Sequence, residues 1–368
     1  MLVLFIMIPM ILMIPAIYYF YRVLRRVSRL FLKEETKKTK RICGVLGIVI
    51  MLLSWPMYGF RGMIILHFLC ISLIFDLCNF ILQKLWLHGK YKTWNILYQS
   101  EVLVIFLTGA IMIFGLWNMH QVTRKDYTIY TKDMKKERTP KIALVSDLHL
   151  GTTMDAAKMQ TYADDIEKTN PDLVLLAGDI VDENTSKAEM EKIAKIFGNM
   201  KSTYGTYYVF GNHDYNTYVK DPNYTAAQLE KTFEAAGIHV LTDEIVNVSK
   251  EIVIVGQRDL SDSTRKDITK GIQGIPKDKF VILMDHQPGD IKSNSKNGID
   301  LQVSGHTHAG QIWPTGQLME ILGVNQINYG YRKIGSYQVI VSSGIAGWGY
   351  PIRTGGRCEY VIIDCRRF

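Results

Sequence analysis

The chain has 368 residues, a formal net charge of +8, 48% hydrophobic residues and five cysteines. It is too long for a disulfide-stapled miniprotein and too apolar for a disordered chain, and its length suggests two or three structural units. Residues 1–120 hold 13 Lys+Arg against four acids, Glu34, Glu35, Asp76 and Glu101, leaving 30 Lys+Arg against 31 Asp+Glu beyond. Nucleic-acid binding needs basic charge on the folded domain, and the second part has none in excess, so nucleic acid is excluded as a partner.

An α-helix needs about 20 mostly apolar residues to cross a bilayer. Residues 1–21, 42–60, 62–87 and 102–120 meet that requirement, which predicts an α-helical region of four spans over residues 1–121. The first stretch lacks a basic leader and a small-residue cleavage site, so it reads as a span and not as a signal peptide. Nine Lys/Arg lie between Arg22 and Arg41, and Lys84, Lys90 and Lys92 follow the third span, whereas only Arg61 separates spans two and three. The positive-inside rule then places both basic loops in the cytoplasm and both chain ends outside. Six basic residues between Arg124 and Arg138 argue the other way. They precede a long domain, whose translocation depends little on local charge. The expectation is a multi-pass cell-membrane protein, partnered by the bilayer, with residues 122–368 extracytoplasmic. Asp76 inside the third span marks either a polar path or a hydrogen-bonded residue within the bundle. Cys43, Cys70 and Cys78 read as small packing residues. Cys358 and Cys365 flank a strand-like run that holds them too far apart to bond each other.

From about residue 122 the pattern changes. Short apolar runs at 142–145, 173–176, 207–210, 252–255, 281–283, 301–304, 337–341 and 360–363 read as buried strands. Amphipathic stretches at 155–168, 186–197 and 226–236 lie between several of them and read as helices. Alternating strand and helix predicts an α/β layered domain over residues 122–368.

Chemistry-bearing residues gather after the strands. The first run leads into Ser146-Asp147-Leu148-His149 and the second into Ala177-Gly178-Asp179-Ile180-Val181-Asp182. The third leads into Gly211-Asn212-His213-Asp214, the fifth into Asp285-His286, and the sixth into Gly305-His306-Thr307-His308. In open α/β sheets the carboxyl ends of parallel strands gather at one edge, where ligands bind. Five of the domain's six histidines fall in these loops; His239, inside an apolar run, reads as a core residue.

Ligand sets of His, Asp and Asn without Cys suit divalent ions such as Zn, Mn or Fe. A carboxylate bridging two such ions is an arrangement used for phosphoryl hydrolysis, and Asp179, after a strand and a glycine, is the natural bridge. Any one of these motifs also occurs as loop caps and turns. Five of them at strand ends do not fit that reading.

The order D-x-H, G-D-x-x-D, G-N-H-D, lone H, G-H-x-H resembles that of the calcineurin-like metallophosphoesterases. The resemblance implies a four-layer αββα sandwich and two divalent metal ions. Asp147, His149 and His308 would hold one ion, Asn212, His286 and His306 the other, and Asp179 would bridge them. It further implies His213 as the group that protonates or stabilises the departing oxygen, oriented by Asp182, with a metal-bridging hydroxide as nucleophile. The sequence is also similar to a membrane-anchored branch of that superfamily at Gly256-Gln257-Arg258-Asp259, Gly310-Gln311 and residues 343–353. Arg258 and Arg353 could grip a substrate phosphate bidentately, or serve as structural arginines in their loops.

Two function classes follow. One is a membrane-anchored hydrolase of phosphomonoesters or phosphodiesters, whose substrates extend to lipid-linked and cell-envelope phosphoesters. The other is a membrane receptor, scaffold or transport accessory that uses the metal domain for binding. Leu318, Met319, Ile321, Leu322 and Val324 follow the last motif. They form either a wall toward the bilayer or, the reading favoured by sequence, part of the domain's own core.

Overall fold

The computed structural model describes residues 2–32, 34–54, 59–85, 92–131 and 139–367. The chain divides into two compact units, Met1–Gly115 and Leu116–Phe368.

The first unit is helical: α1 (Leu2–Phe31), α2 (Lys37–Leu53), α3 (Phe60–Lys84), α4 (Lys92–Ser100) and α5 (Val102–Met119), whose last residues enter the second unit. Two of these, α3 and α5, are long and apolar enough to cross a membrane. The basic stretch expected as a loop from Arg22 begins instead as helix, because α1 runs on to Phe31. Its Arg and Leu side chains favour helix, and no Gly or Pro interrupts residues 22–31. Residues 55–58 of the second expected span, and Lys90, lie outside the described residues, as does the 132–138 part of the later basic stretch. Asp76 is not left alone on α3. It pairs with Arg26 and accepts hydrogen bonds from Tyr19 (2.8 Å) and Tyr98 (2.8 Å), while Glu101 shares the same arginine and accepts from Ser72 at 3.1 Å. All five cysteines are free.

The second unit runs β1 (Val122–Thr131), β2 (Lys141–Val145), α6 (Ala156–Glu167), β3 (Leu173–Ala177), α7 (Lys187–Gly198), β4 (Thr206–Val209) and α8 (Ala226–Ala235). It continues through β5 (His239–Val240), β6 (Glu244–Asn247), β7 (Ile252–Gly256), α9 (Thr269–Gln273), β8 (Phe280–Met284), α10 (Ile291–Asn294) and β9 (Leu301–Ser304). It ends with α11 (Thr315–Ile321), β10 (Gly330–Ile334), β11 (Tyr337–Val341) and β12 (Cys358–Arg367). These strands form two mixed six-stranded sheets, in the orders β1-β12-β2-β3-β4-β5 and β10-β11-β9-β8-β7-β6.

Alternation along each strand builds the layers. Ile142, Leu144, Leu173 and Leu175 of the first sheet share a core with Ile254, Ile282 and Val303 of the second. Their neighbours Ala143, Val145, Val174 and Leu176 point to the opposite face, where Met159 of α6, Ile193 of α7 and Phe233 of α8 cover them. On the outer face of the second sheet, Val255, Val281 and Leu283 pack with Ile272 of α9 and Ile291 of α10. With both faces covered, these strands read as unbroken apolar runs, which is why they were visible in the sequence.

α7 shows how the sequence fixes a helix. Ser186 and Glu189 form a capping box, Met190, Ile193, Ala194 and Phe197 make one buried face, and Gly198 ends the helix where a Cβ would collide with the Ala236 backbone. The elements not visible in sequence lie mostly at the edges. β1 alternates polar residues, β5 has two residues, and β10 is almost wholly exposed. His239 belongs to that group: it is exposed on β5 and stacked on Tyr207 at 4.8 Å, not buried in the core. An edge strand offers it one covered face only.

Candidate functional site

β2, β3 and β4 run parallel, as do β7, β8 and β9, so each set delivers its post-strand loops to one edge. From the first sheet come Asp147 and His149 after β2, Asp179 after β3, and Asn212 and His213 after β4. From the second come His286 after β8 and His306 and His308 after β9.

The backbone is strained where these side chains leave it. Asp147, His149, Asp179, His306 and His308 all adopt positive φ, between 41° and 71°. For non-glycine residues this left-handed region is costly and clusters at functional sites. Gly178, just before Asp179, has φ 84°, and a Cβ there would lie 2.6 Å from His286 Nδ1 and 2.7 Å from Gly211 N. The glycine thus makes room for a neighbouring loop and a ring.

Two groups of potential ligands result: Asp147, His149 and His308, and Asp179, His286 and His306. Asp179 reaches both groups, with Oδ2 3.1 Å from His286 Nε2 and 3.7 Å from His149 Nε2. Asn212 Oδ1 lies 3.0 Å from His306 Nδ1, adding an amide oxygen to the second group. Backbone amides hold the carboxylates in place: His306 N donates to Asp147 Oδ1 at 2.8 Å and His213 N to Asp179 Oδ1 at 2.8 Å. Asp214 ties the loops together, accepting from the amides of Asp179 (2.6 Å), Gly211 (2.7 Å) and Val181 (3.0 Å).

Protons alone do not satisfy this cluster. Burial, helped by the electrostatic influence of His149 and Arg353, holds His308 well below the usual imidazole range, and burial with His286 brings His306 down to about 4. Both rings are therefore neutral near pH 7, with lone pairs available. Burial works to raise Asp179, but His286 and His149 outweigh it and hold the carboxyl well below its usual value. His149 Nε2 faces His308 Nε2 at 3.2 Å, and the buried Asp147 Oδ2 and His286 Nε2 have no hydrogen-bond partner. A buried carboxylate oxygen and ring nitrogen left without partners, among two carboxylates and four imidazoles, are what a bound cation would satisfy. Carboxylate, imidazole and amide donors without thiolate fit hard-to-borderline divalent ions.

Around the cluster, three of the sequence expectations change. Asp182 does not orient His213. Its Oδ2 accepts from Thr152 at 2.9 Å and lies 3.4 Å from His149 Nδ1, so it supports His149 instead. The next residue, Glu183, sits on His213, with its oxygens 3.0 and 3.1 Å from Nδ1. Burial lowers the His213 imidazole, but hydrogen bonding to Glu183 and the charge of Asp179 outweigh it and raise it overall. The sequence signal was present in Asp182-Glu183, but the loop's turn, with Asn184 N donating to Asp182 Oδ1 at 2.8 Å, decides which carboxylate faces which ring.

Arg353 is fully buried. Its guanidinium donates to the carbonyls of His308 (3.0 Å), Ser343 (3.1 Å), Ala346 (3.0 Å) and Arg357 (3.3 Å), so none of its face is open to a substrate phosphate. Arg258 is occupied by Asp262 at 3.0 Å, with Asp243 3.5 Å away. The arginine that works at the cluster's edge is Arg265, which sequence did not single out. It grips Asp285 with two bonds of 3.0 and 2.7 Å and so fixes the residue before His286. Tyr218 and Trp348 flank His213, with ring centroids 5.0 and 5.2 Å away.

Two mixed sheets that present carboxylates and imidazoles from five strand ends define a metal-binding α/β domain of the hydrolase kind. The family model described as calcineurin-like phosphoesterase matches residues 140–310. An uncharacterized metallophosphoesterase of Aquifex aeolicus (strain VF5) is 31% identical over 248 residues, covering 65% of this chain and 90% of its own length. One from Helicobacter pylori (strain J99 / ATCC 700824) is 34% identical over 234 residues, 62% of this chain and 60% of its own. A transmembrane protein with metallophosphoesterase domain from Danio rerio is 28% identical over 286 residues, 71% of this chain and 62% of its own. The chain belongs to the calcineurin-like phosphoesterases. It spans about three fifths of the length of the first curated relatives it matches.

Proposed function

We propose that the protein is a membrane-anchored, dinuclear-metal-dependent phosphoesterase that hydrolyses phosphomonoester or phosphodiester bonds, its substrates extending to lipid-linked and cell-envelope phosphoesters. The observation that carries this reading is the convergence of two three-residue ligand groups on Asp179, whose carboxylate lies within 4 Å of an imidazole from each.

In this reading Asp147, His149 and His308 would hold one divalent ion, His286, His306 and Asn212 the other, with Asp179 within reach of both. Mn, Zn or Fe would suit the donors. The chemistry such ions supply when bound is acidification of water and neutralisation of phosphoryl charge. The remaining work falls to the chain's own residues. His213 holds a proton at the mouth of the cluster, where it can be passed to the departing oxygen. Glu183, on its Nδ1, fixes the ring and keeps the imidazolium favourable. Asp182 orients His149. Tyr218 and Trp348 form aromatic walls beside the transferred proton.

Anchoring rests on α3 and α5, and on relatives that are themselves named transmembrane proteins. A full arrangement of four spans in residues 1–121, with the domain of residues 122–368 extracytoplasmic, is the topology that the basic loops favour.

The test is hydrolysis of mono- and bis-(p-nitrophenyl) phosphate by full-length protein in detergent with Mn added, beside Asp179→Asn. Turnover in the parent and a loss of on the order of a thousandfold in the variant are expected, since both ions lose a shared ligand. Equal rates in the two would refute the dinuclear reading.

A further inference from the structure

Sequence leaves the segment after the last ligand motif either facing the bilayer or, as the favoured reading, packed on its own sheet. It does not pack there. Of α11, only Gly316 is buried. Ile321, Leu322 and Val324 are 79%, 72% and 65% exposed, and Leu318, Met319 and Trp313 are exposed beside them. Among the described residues, nine of the sixteen exposed large hydrophobics of the second unit fall between residues 313 and 334. Single exposed apolar side chains need no explanation, but such a concentration in one short segment does.

The segment is also almost free of charge. Between Ile312 and Tyr331 there is one ionisable acid or base of the Asp, Glu, Lys, Arg or His kind, Glu320. That carboxylate is paired with Arg332 at 2.7 Å. Lys333 follows Arg332, so the apolar stretch ends in two cations. An apolar surface bordered by Lys and Arg suits the boundary between acyl chains and anionic headgroups.

The chain itself says which surface is near. α5 has 18 residues, about 27 Å of helix, the scale of a bilayer's hydrocarbon core, and its last four residues belong to the second unit. Its end therefore lies at the membrane surface. That end is built into the second unit: Asn118 Nδ2 donates to the carbonyls of Arg353 (3.0 Å) and Gly356 (2.8 Å), and Cys358 Sγ donates to the Met119 carbonyl at 3.3 Å. The same loop holds the base of α11. Trp313 N donates to Thr354 Oγ1 at 3.0 Å, and Gln311 Nε2 donates to the Trp348 carbonyl at 2.9 Å. The end of the span and the root of the apolar segment are thus fixed to one stretch, residues 348–358. Trp117 and Trp313, both exposed, are residue types that favour the headgroup level.

We infer that the segment Trp313–Val324 is a membrane-docking rim that inserts its apolar side chains into the lipid surface at which α5 ends. The occupant is a bilayer with anionic headgroups. The inference rests on the anchoring part of the reading above, and it gives the metal cluster a lipid-facing border, since the segment starts five residues after His308. Insertion would hold the cluster at headgroup height, where phosphoesters borne by lipids are concentrated.

The experiment uses full-length protein in phosphatidylcholine–phosphatidylglycerol vesicles, with Cys70 and Cys78 replaced by alanine and one nitroxide label per variant, at Ile321→Cys, Ile113→Cys or Lys277→Cys. Ile113, exposed on α5, reports the anchor, and Lys277, exposed on the second unit, reports water. Collision with oxygen, which partitions into lipid, is compared with collision with a water-soluble nickel chelate. The ratio at 321 is expected to match that at 113 and to exceed that at 277 several-fold. A ratio at 321 equal to that at 277, with 113 in lipid, overturns the rim and leaves the anchor standing. A label at 321 shielded from both reagents means contact with protein, such as a second copy, and also overturns it. A label at 113 in water removes the anchor, and the rim with it.

Discussion

In the N-terminal unit, the carboxylates of Asp76 and Glu101 lie against the guanidinium of Arg26, and Tyr19, Ser72 and Tyr98 supply further donors. In the C-terminal unit, Asp147 and Asp179 have no guanidinium beside them among the described residues. Their neighbours are imidazoles, two of which are held neutral by burial. The first cluster carries its own counter-charge and can serve as a packed polar element. The second gathers carboxylates and imidazoles with no guanidinium and leaves buried Asp147 Oδ2 and His286 Nε2 without a hydrogen-bond partner, which a bound cation would supply. Burial and charge density alone therefore do not mark a functional site; the discriminating feature is which partner is missing.

Arg353 gives the strongest test of that distinction, because sequence leaves it either at the substrate or in a structural loop, and its buried contacts are with the protein's own carbonyls. Arg353→Met leaves four carbonyls, three of them buried, without their charged donor, one of them on His308. A loss of about 3 kcal/mol or more is expected. For a unit of this size each kcal/mol lowers Tm by roughly 2–4 °C. Thermal unfolding should show that fall, together with weakened metal binding. A substrate-gripping arginine would behave differently, raising KM steeply at unchanged Tm.

The next effect separates Glu183 from Asp182. Glu183→Gln keeps a polar group on His213 but removes its charge, so only steps needing a proton at the departing oxygen should suffer. General acid catalysis of this kind is worth roughly 10²–10⁴-fold. The variant should lose about tenfold or more on an alkyl phosphoester and much less on a p-nitrophenyl ester, whose leaving group needs no proton. Equal losses on both would mean that Glu183 only supports the loop. Asp182→Asn is expected to act through His149, lowering metal affinity with little dependence on the leaving group.

Most of the fold's centre was legible because β2, β3, β7 and β8 are buried on both faces and so appear as nearly unbroken apolar runs. The site was legible because five strands, β2, β3, β4, β8 and β9, end in short polar motifs, and sheet topology brings such ends together. What could not be read was geometry finer than the loop. Whether Asp182 or Glu183 meets His213 depends on one turn, and Arg265 and Arg353 are distinguished from Arg258 only by which carbonyls and carboxylates lie within reach. The rim was misjudged for a related reason. Leu318, Ile321, Leu322 and Val324 have the composition of a core segment, and sequence alone does not show that no sheet face remains to receive them.

The smallest expected effect is at Asp76, and it bears on why so much chain precedes the phosphoesterase domain. Asp76→Asn removes a charge from the N-terminal cluster but keeps an acceptor for Tyr19 and Tyr98, and Arg26 retains Glu101. A stability loss of about 1 kcal/mol in the helical unit is expected, the scale of one weakened hydrogen-bonded contact. Hydrolysis of p-nitrophenyl phosphate per folded molecule should change by no more than about twofold, as for sites that share no partners. Heat-induced aggregation and turnover, measured on the same detergent-solubilised sample, check the two statements separately. A tenfold loss of turnover with full metal content would show that the polar cluster of the helical unit acts on the reaction. It would then be more than packing, and the balance would move toward a role in which the helices sense or pass on what the metal domain binds.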